Sequence, residues 1–174
     1  MGTKKSRWIL FGILVISAWV LGSAIQAGAE TMNYKFYTWV VKGEAVPIGD
    51  VEGHVLGLFI RGSFFVFENG EIATSNSVTT ADRTKGSGPF MQYVTIKYAD
   101  GSTMIIKSQG SLGGTAAGSP GSGAWTSEII KGTGRFEGIK GTQSANAKYL
   151  PVEPGEAGPK GYGEGTITYT LPPK

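Results

Sequence analysis

The stretch Gly132-Thr133-Gly134-Arg135-Phe136-Glu137-Gly138-Ile139-Lys140-Gly141 sets four glycines around one aromatic, between two segments of strand character. Glycine tolerates positive φ and close backbone approach, so this density predicts a tight, irregular connection anchored by Phe136. A nucleotide-binding reading is refused. Gly138 stands four residues after Gly134, where the dinucleotide fingerprint needs three and then a helix, and here the chain runs on into a strand. The motif reads instead as a closing turn, with Phe136 inside and Arg135 or Glu137 facing water.

The rest of the chain alternates strands with turn signals. Tyr34 to Val46 is aromatic and β-branched and ends at Pro47; His54 to Glu68 follows, then Asn69-Gly70, a strong hairpin signal, then the Thr- and Ser-rich return Glu71 to Asp82. Phe90 to Tyr98 sets Phe90, Val94, Ile96 and Tyr98 on one parity against Met91, Tyr93, Thr95 and Lys97, turns at Asp100-Gly101, and returns over Thr103 to Gln109. After a Gly/Ser/Ala loop come Ala124 to Lys131, the glycine motif, Thr142 to Leu150, a Pro- and Gly-containing loop, and Gly163 to Leu171. About eight strands with frequent turns and no helix in the mature chain predict an all-β fold, an antiparallel barrel or sandwich. The second strand is apolar on both parities, which predicts a cover on each side or a change of face at a bulge near Gly57 or Gly62.

The N-terminus has the form of a targeting signal: Lys4, Lys5 and Arg7, an apolar core from Trp8 to Gly22, and Ala27-Gly28-Ala29 as a cleavage site. The expected division is a signal peptide helix at 1–29 and one barrel domain at 30–174; a retained membrane anchor is the competing reading. The expected location is the periplasm or the medium, with no stable membrane insertion after cleavage. The signal also holds three of the 16 basic residues and none of the 13 acidic ones, so the remaining 145 residues are formally neutral. A nucleic-acid partner is therefore not expected, because that needs basic charge clustered on the folded domain. One His and no Cys leave no disulfide framework and no ordinary zinc site, and no metal or cofactor is expected.

The strand with Trp125 and Glu128-Ile129-Ile130, the glycine motif, and the close on Thr168-Tyr169-Thr170-Leu171-Pro172 resemble the allene oxide cyclase-like barrel family, and more distantly the dirigent proteins. The likeness extends to Arg61, Gly62, Phe67-Glu68-Asn69-Gly70-Glu71 and Asp100-Gly101-Ser102. It implies an eight-stranded antiparallel barrel, often trimeric, with a pocket at one mouth. No catalytic position of the cyclases matches residue by residue.

Four side chains are candidates for a site. His54, the only histidine, has Asp50 and Glu52 nearby and is a candidate acid or base. Glu128 shares its parity with Thr126 and Ile130; if that face is the lumen, burial would raise its pKa and suit it to acid or base work, and if not, it is a surface residue. Arg61 could pair with Glu128 or with a ligand carboxylate. Tyr93 could orient a ligand's polar end. The readings of function are a barrel that holds a lipid-like or aromatic small molecule, a cyclase or isomerase that works by positioning, and an oligomeric structural protein without ligand. The doubly apolar second strand adds a homodimer or homotrimer interface as a possibility.

Overall fold

The computed structural model describes residues 28–114 and 121–173. Eight strands run in chain order around a closed antiparallel barrel: β1 (Glu30–Pro47), β2 (His54–Phe67), β3 (Ile72–Thr84), β4 (Gly88–Tyr98), β5 (Thr103–Gly113), β6 (Gly121–Thr133), β7 (Lys140–Tyr149) and β8 (Gly161–Thr170). Each strand pairs with its sequence neighbours, and β1 closes the barrel on β8 from Glu30↔Tyr169 to Thr38↔Gly161. Closure leaves no free edge, so the backbone polar groups are satisfied within the wall. The expected signal peptide lies outside the described residues except at its last two positions.

One end of the barrel is solid. Phe67, Tyr98, Met104, Ile139 and Tyr169 point inward there, and all are buried. Phe136 completes the layer from a 3-10 turn, Gly134–Phe136; it is 2% exposed, with its ring 4.9 Å from Tyr98 and 6.2 Å, edge-on, from Tyr169. The glycines make this insertion possible in two ways. Gly134 and Gly138 hold φ of 63° and 74°, in the left-handed region that other residues avoid. Gly132 has no room for a side chain, since a Cβ would stand 2.1 Å from the Phe136 carbonyl oxygen. Arg135 turns outward over the Tyr98 and Phe136 rings and reaches Glu71 at 2.5 Å and Asp100 at 3.5 Å, tying the motif to the β2–β3 and β4–β5 turns. Glu137 is exposed.

The doubly apolar second strand keeps one parity from end to end. Phe59, Arg61, Ser63, Phe65 and Phe67 point inward, while Leu56, Leu58, Ile60, Phe64 and Val66 point outward and are exposed. The expected change of face near Gly57 or Gly62 does not occur. The irregularities lie on other strands: β1 slips one residue against β2 between Val40 and Lys42, and β6 carries Ile130 as an extra residue against Ile105 and Ile106.

Phe136→Ala should therefore cost about 3–5 kcal/mol of unfolding free energy, read as a lower urea midpoint with an unchanged slope. Phe136→Leu, which refills most of the space, should cost clearly less; equal losses would mean that Phe136 is not the plug.

Candidate functional site

A cavity of about 250 Å³ occupies the other half of the barrel and opens at the end away from Phe136. Side-chain size accounts for it. β3 turns Ser75, Ser77, Thr79 and Ala81 inward, where β1, β2, β4 and β6 supply Phe36, Phe65, Phe90 and Trp125. Four small residues in a row leave a void that the facing rings line but do not fill. The rings pack on one another, with Trp125 edge-on to Phe36 at 5.7 Å and to Phe90 at 5.9 Å, and Phe36 stacked on Phe65 at 5.7 Å. The mouth is rimmed by Gly86, Leu112, Gly121, Leu150 and Val152.

The floor of the cavity is polar and cross-linked. Gln143, on β7, donates from Nε2 to the Tyr34 hydroxyl, and its Oε1 accepts from the Ser127 hydroxyl at 2.6 Å; Ser127 is also hydrogen-bonded to Ser108 at 2.9 Å. All four residues are buried, so each bond replaces water that cannot reach them. Burial also pushes the Tyr34 phenol well above its ordinary pKa, outweighing the opposing effect of the Gln143 bond, and keeps it protonated. Ser75 Oγ, on the β3 wall, is buried without a hydrogen-bond partner.

Two arginines line the upper part. Arg61 bonds through Nε to Thr38 Oγ1 at 3.4 Å and through a terminal nitrogen to the Pro159 carbonyl at 3.2 Å, with its guanidinium 5.3 Å from the Tyr149 ring centre. Arg83 lies over Phe59 at 4.8 Å, and its buried Nε has no partner. Burial lowers the pKa of both, and the Arg83 charge adds to the effect on Arg61 while Tyr149 opposes it.

Of the four side chains that the sequence suggests, the structure brings only Arg61 to this cavity. Glu128 is a surface residue. β6 turns Trp125, Ser127 and Ile129 inward, which sends Thr126, Glu128 and Ile130 to water, so Glu128 meets neither the lumen nor Arg61. Tyr93 also points outward, 45% exposed, with Lys107 Nζ 6.0 Å from its ring centre, because Phe90, Gln92 and Val94 hold the inward parity of β4. Phe65, by contrast, is inside. Sequence reasoning missed Arg83, Gln92, Trp125 and Gln143 as lining residues. For Gln92 and Gln143 the signal was available in the parity each shares with apolar neighbours, Phe90 and Val94 on β4 and Ala145 and Ala147 on β7.

His54 stands at the same end as the mouth but does not line the cavity. Its Nδ1 is 2.5 Å from Asp50 Oδ1 and its Nε2 2.7 Å from Asp82 Oδ1, which pins the β1–β2 loop to β3. With a carboxylate on each nitrogen the imidazolium is favoured, and the bonds to Asp50 and then Asp82 raise its pKa above the ordinary value. A raised folded-state pKa stabilises fully below the unfolded value of about 6.5 and is lost as pH climbs through the folded one. The Tm advantage of the wild type over His54→Gln should be largest below that pH and shrink above it. A constant difference from pH 5 to 9 would show that the clamp does not depend on charge.

No family model matches the chain, and no curated protein matches it. Solved structures do. The pterocarpan synthase dirigent protein GePTS1 superimposes with a TM-score of 0.50 at 15% identity, over 83% of this chain and 92% of its own. The pterocarpan synthase dirigent protein PsPTS1 gives 0.48 at 15% identity, over 84% and 97%. What the chain shares with GePTS1 is the fold: an eight-stranded, dirigent-like antiparallel barrel.

Proposed function

We propose that this protein is a vessel that binds an apolar small molecule in its lumen and fixes its orientation. The observation that carries the reading is the hollow half of the barrel, walled by Phe36, Phe65, Phe90 and Trp125 over a floor of fixed hydrogen-bonding groups. Such a site supplies apolar contact over most of a ligand and direction at a few points. The fold likeness to a pterocarpan synthase dirigent protein and the sequence resemblance to allene oxide cyclase-like barrels support a positioning role. In the enzymatic form of the reading, the protein is a cyclase or isomerase that accelerates reaction by holding one reactive conformer. The signal-peptide pattern of residues 1–29 supports export to the periplasm or the medium.

A neutral fluorophore tests the vessel. N-phenyl-1-naphthylamine should bind saturably, one per chain, and quench Trp125, and Ser77→Phe, which puts a ring into the void, should abolish binding while leaving the fold intact by circular dichroism. Absence of saturable binding to the wild type would overturn the reading.

The outer face supports a second statement, about assembly. Leu56, Leu58, Ile60, Phe64 and Val66 form one exposed apolar row on β2, and Ile60 continues through its register partner Val78 to Tyr93. A face of this kind is suited to burial against a second copy of the chain. Sedimentation should find an oligomer at micromolar concentration that Ile60→Asp dissociates; a monomeric wild type would remove this part of the proposal.

A further inference from the structure

The β7–β8 connection, residues 150–160, borders the mouth and is attached to the barrel wall more lightly than the other connections described there. Leu150, Pro151, Val152 and Pro159 line the cavity. The β1–β2 loop is fixed to β3 through His54 and Asp82, and to the β3–β4 turn by the Lys85 amide, which donates to the Gly53 carbonyl at 3.0 Å. That turn is held in its place by the Gly114 amide, which donates to Ser87 Oγ at 2.6 Å. Among the described residues, 151–159 receive a single hydrogen bond from the wall, donated by Arg61 to the Pro159 carbonyl at 3.2 Å. Pro151, Pro154 and Pro159 account for part of this, since they have no N–H to offer. Gly158 adds one close contact: a Cβ there would stand 2.7 Å from Cγ2 of the buried Val40. Within itself the loop is braced. The Glu156 amide donates to the Glu153 carbonyl at 3.1 Å, the Glu156 carboxylate accepts from the Glu153 amide at 3.3 Å and pairs with Lys160, and the Leu150 amide closes the stem on the Lys160 carbonyl at 2.9 Å. A stiff loop on a two-stranded stem, held to the wall along one edge, is built to move as a unit.

Resting on the vessel reading above, we propose that residues 150–160 are a lid on the lumen and that Arg61 is its latch: the lid swings on its stem when the Arg61–Pro159 hydrogen bond breaks, and small molecules enter and leave through the gap. Arg61 is suited to this because the wall holds it independently of the lid. Its Nε bonds to Thr38 Oγ1 at 3.4 Å, and its guanidinium lies 5.3 Å from the ring centre of Tyr149, at the foot of the stem. Release of the lid therefore leaves the guanidinium in position to take back the Pro159 carbonyl. The seat of the lid is also a marked place on the wall, since β1 slips by one residue against β2 between Val40 and Lys42. A bond from a charged donor to a neutral carbonyl biases the lid shut, and water can replace the carbonyl when it leaves, so the bond breaks within the time of ligand exchange.

A reversible lock tests the lid. The chain has no cysteine, and a Cβ on Gly158 would stand 3.1 Å from that of Val40, near the separation of about 3.5–4.5 Å in a disulfide. In the double variant Val40→Cys, Gly158→Cys, oxidation should slow both association and dissociation of N-phenyl-1-naphthylamine, followed by stopped-flow fluorescence, at least about tenfold, and dithiothreitol should restore both. Arg61→Met alone should speed both rates about tenfold, the effect of one charge-assisted hydrogen bond on an opening equilibrium. Combined with the closed disulfide, it should change neither. An Arg61 that served only as a ligand contact would alter dissociation and leave association as it is. Equal rates for the oxidised and reduced double variant, or an Arg61→Met protein that takes up the dye at the wild-type rate, overturns the lid and leaves the vessel intact. Failure of the dye to bind the wild type removes the vessel and the lid together.

Discussion

Closing eight strands into a barrel sends every second side chain into one shared interior, and the summed volume of those side chains decides whether the barrel is a solid or a container. Here the volume is unevenly distributed along the axis. At the end that receives Phe136, the aromatic and long aliphatic side chains of β2, β4, β5 and β8 meet and exclude water. At the other end the inward row of β3 shrinks to serine, threonine and alanine, and the rings of its neighbours cannot cross the gap. The cavity is thus a property of one strand's composition, set within walls that the other strands hold rigid. The most tightly packed layer and the cavity lie toward opposite ends of the barrel.

The glycine motif belongs entirely to the solid end. Its left-handed glycines and the bare backbone at Gly132 let a chain reversal dip into the barrel and deliver Phe136, while Arg135 seals the outside by pairing with two neighbouring turns. The most conspicuous sequence feature therefore reports the architecture and stands far from the chemistry. Turn-forming glycines are visible in a sequence because they break its pattern. A cavity is not, because it consists of residues whose only common property is to be small and on one parity.

Register determines how much else could be read. The eight strands were legible from alternation and from turn pairs such as Asn69-Gly70 and Asp100-Gly101, and the structure moves their ends by only a few residues. The direction each side chain faces was legible only where one parity was clearly apolar. On β4 the Phe90, Val94, Ile96 and Tyr98 row already assigned Tyr93 to the outside. On β6 the apolar residues are split between Trp125 and Ile129 on one face and Ile130 on the other, and the extra residue at Ile130 divides the strand, so nothing in the sequence decided for or against Glu128. Arg61 lies on a strand apolar on both parities, so its inward direction is set by register rather than by pattern. Arg83 was not legible, because it ends a strand whose inward row is small and polar and looks, in sequence, like a wet face.

The groups that do face the lumen limit the chemistry this chain's own side chains can perform there. Among the described residues its titratable lining is Tyr34, Tyr149, Arg61 and Arg83. Burial raises both phenols, so at neutral pH they stay protonated and the guanidinium groups stay charged. All four then offer hydrogen-bond donors, and none is poised to take a proton. A site of this kind can hold an anion, stabilise negative charge that develops on a bound molecule, and restrict its conformations. Its apolar walls and its two arginines line different parts of one cavity, so its shape and its charge would act on different parts of any molecule held there.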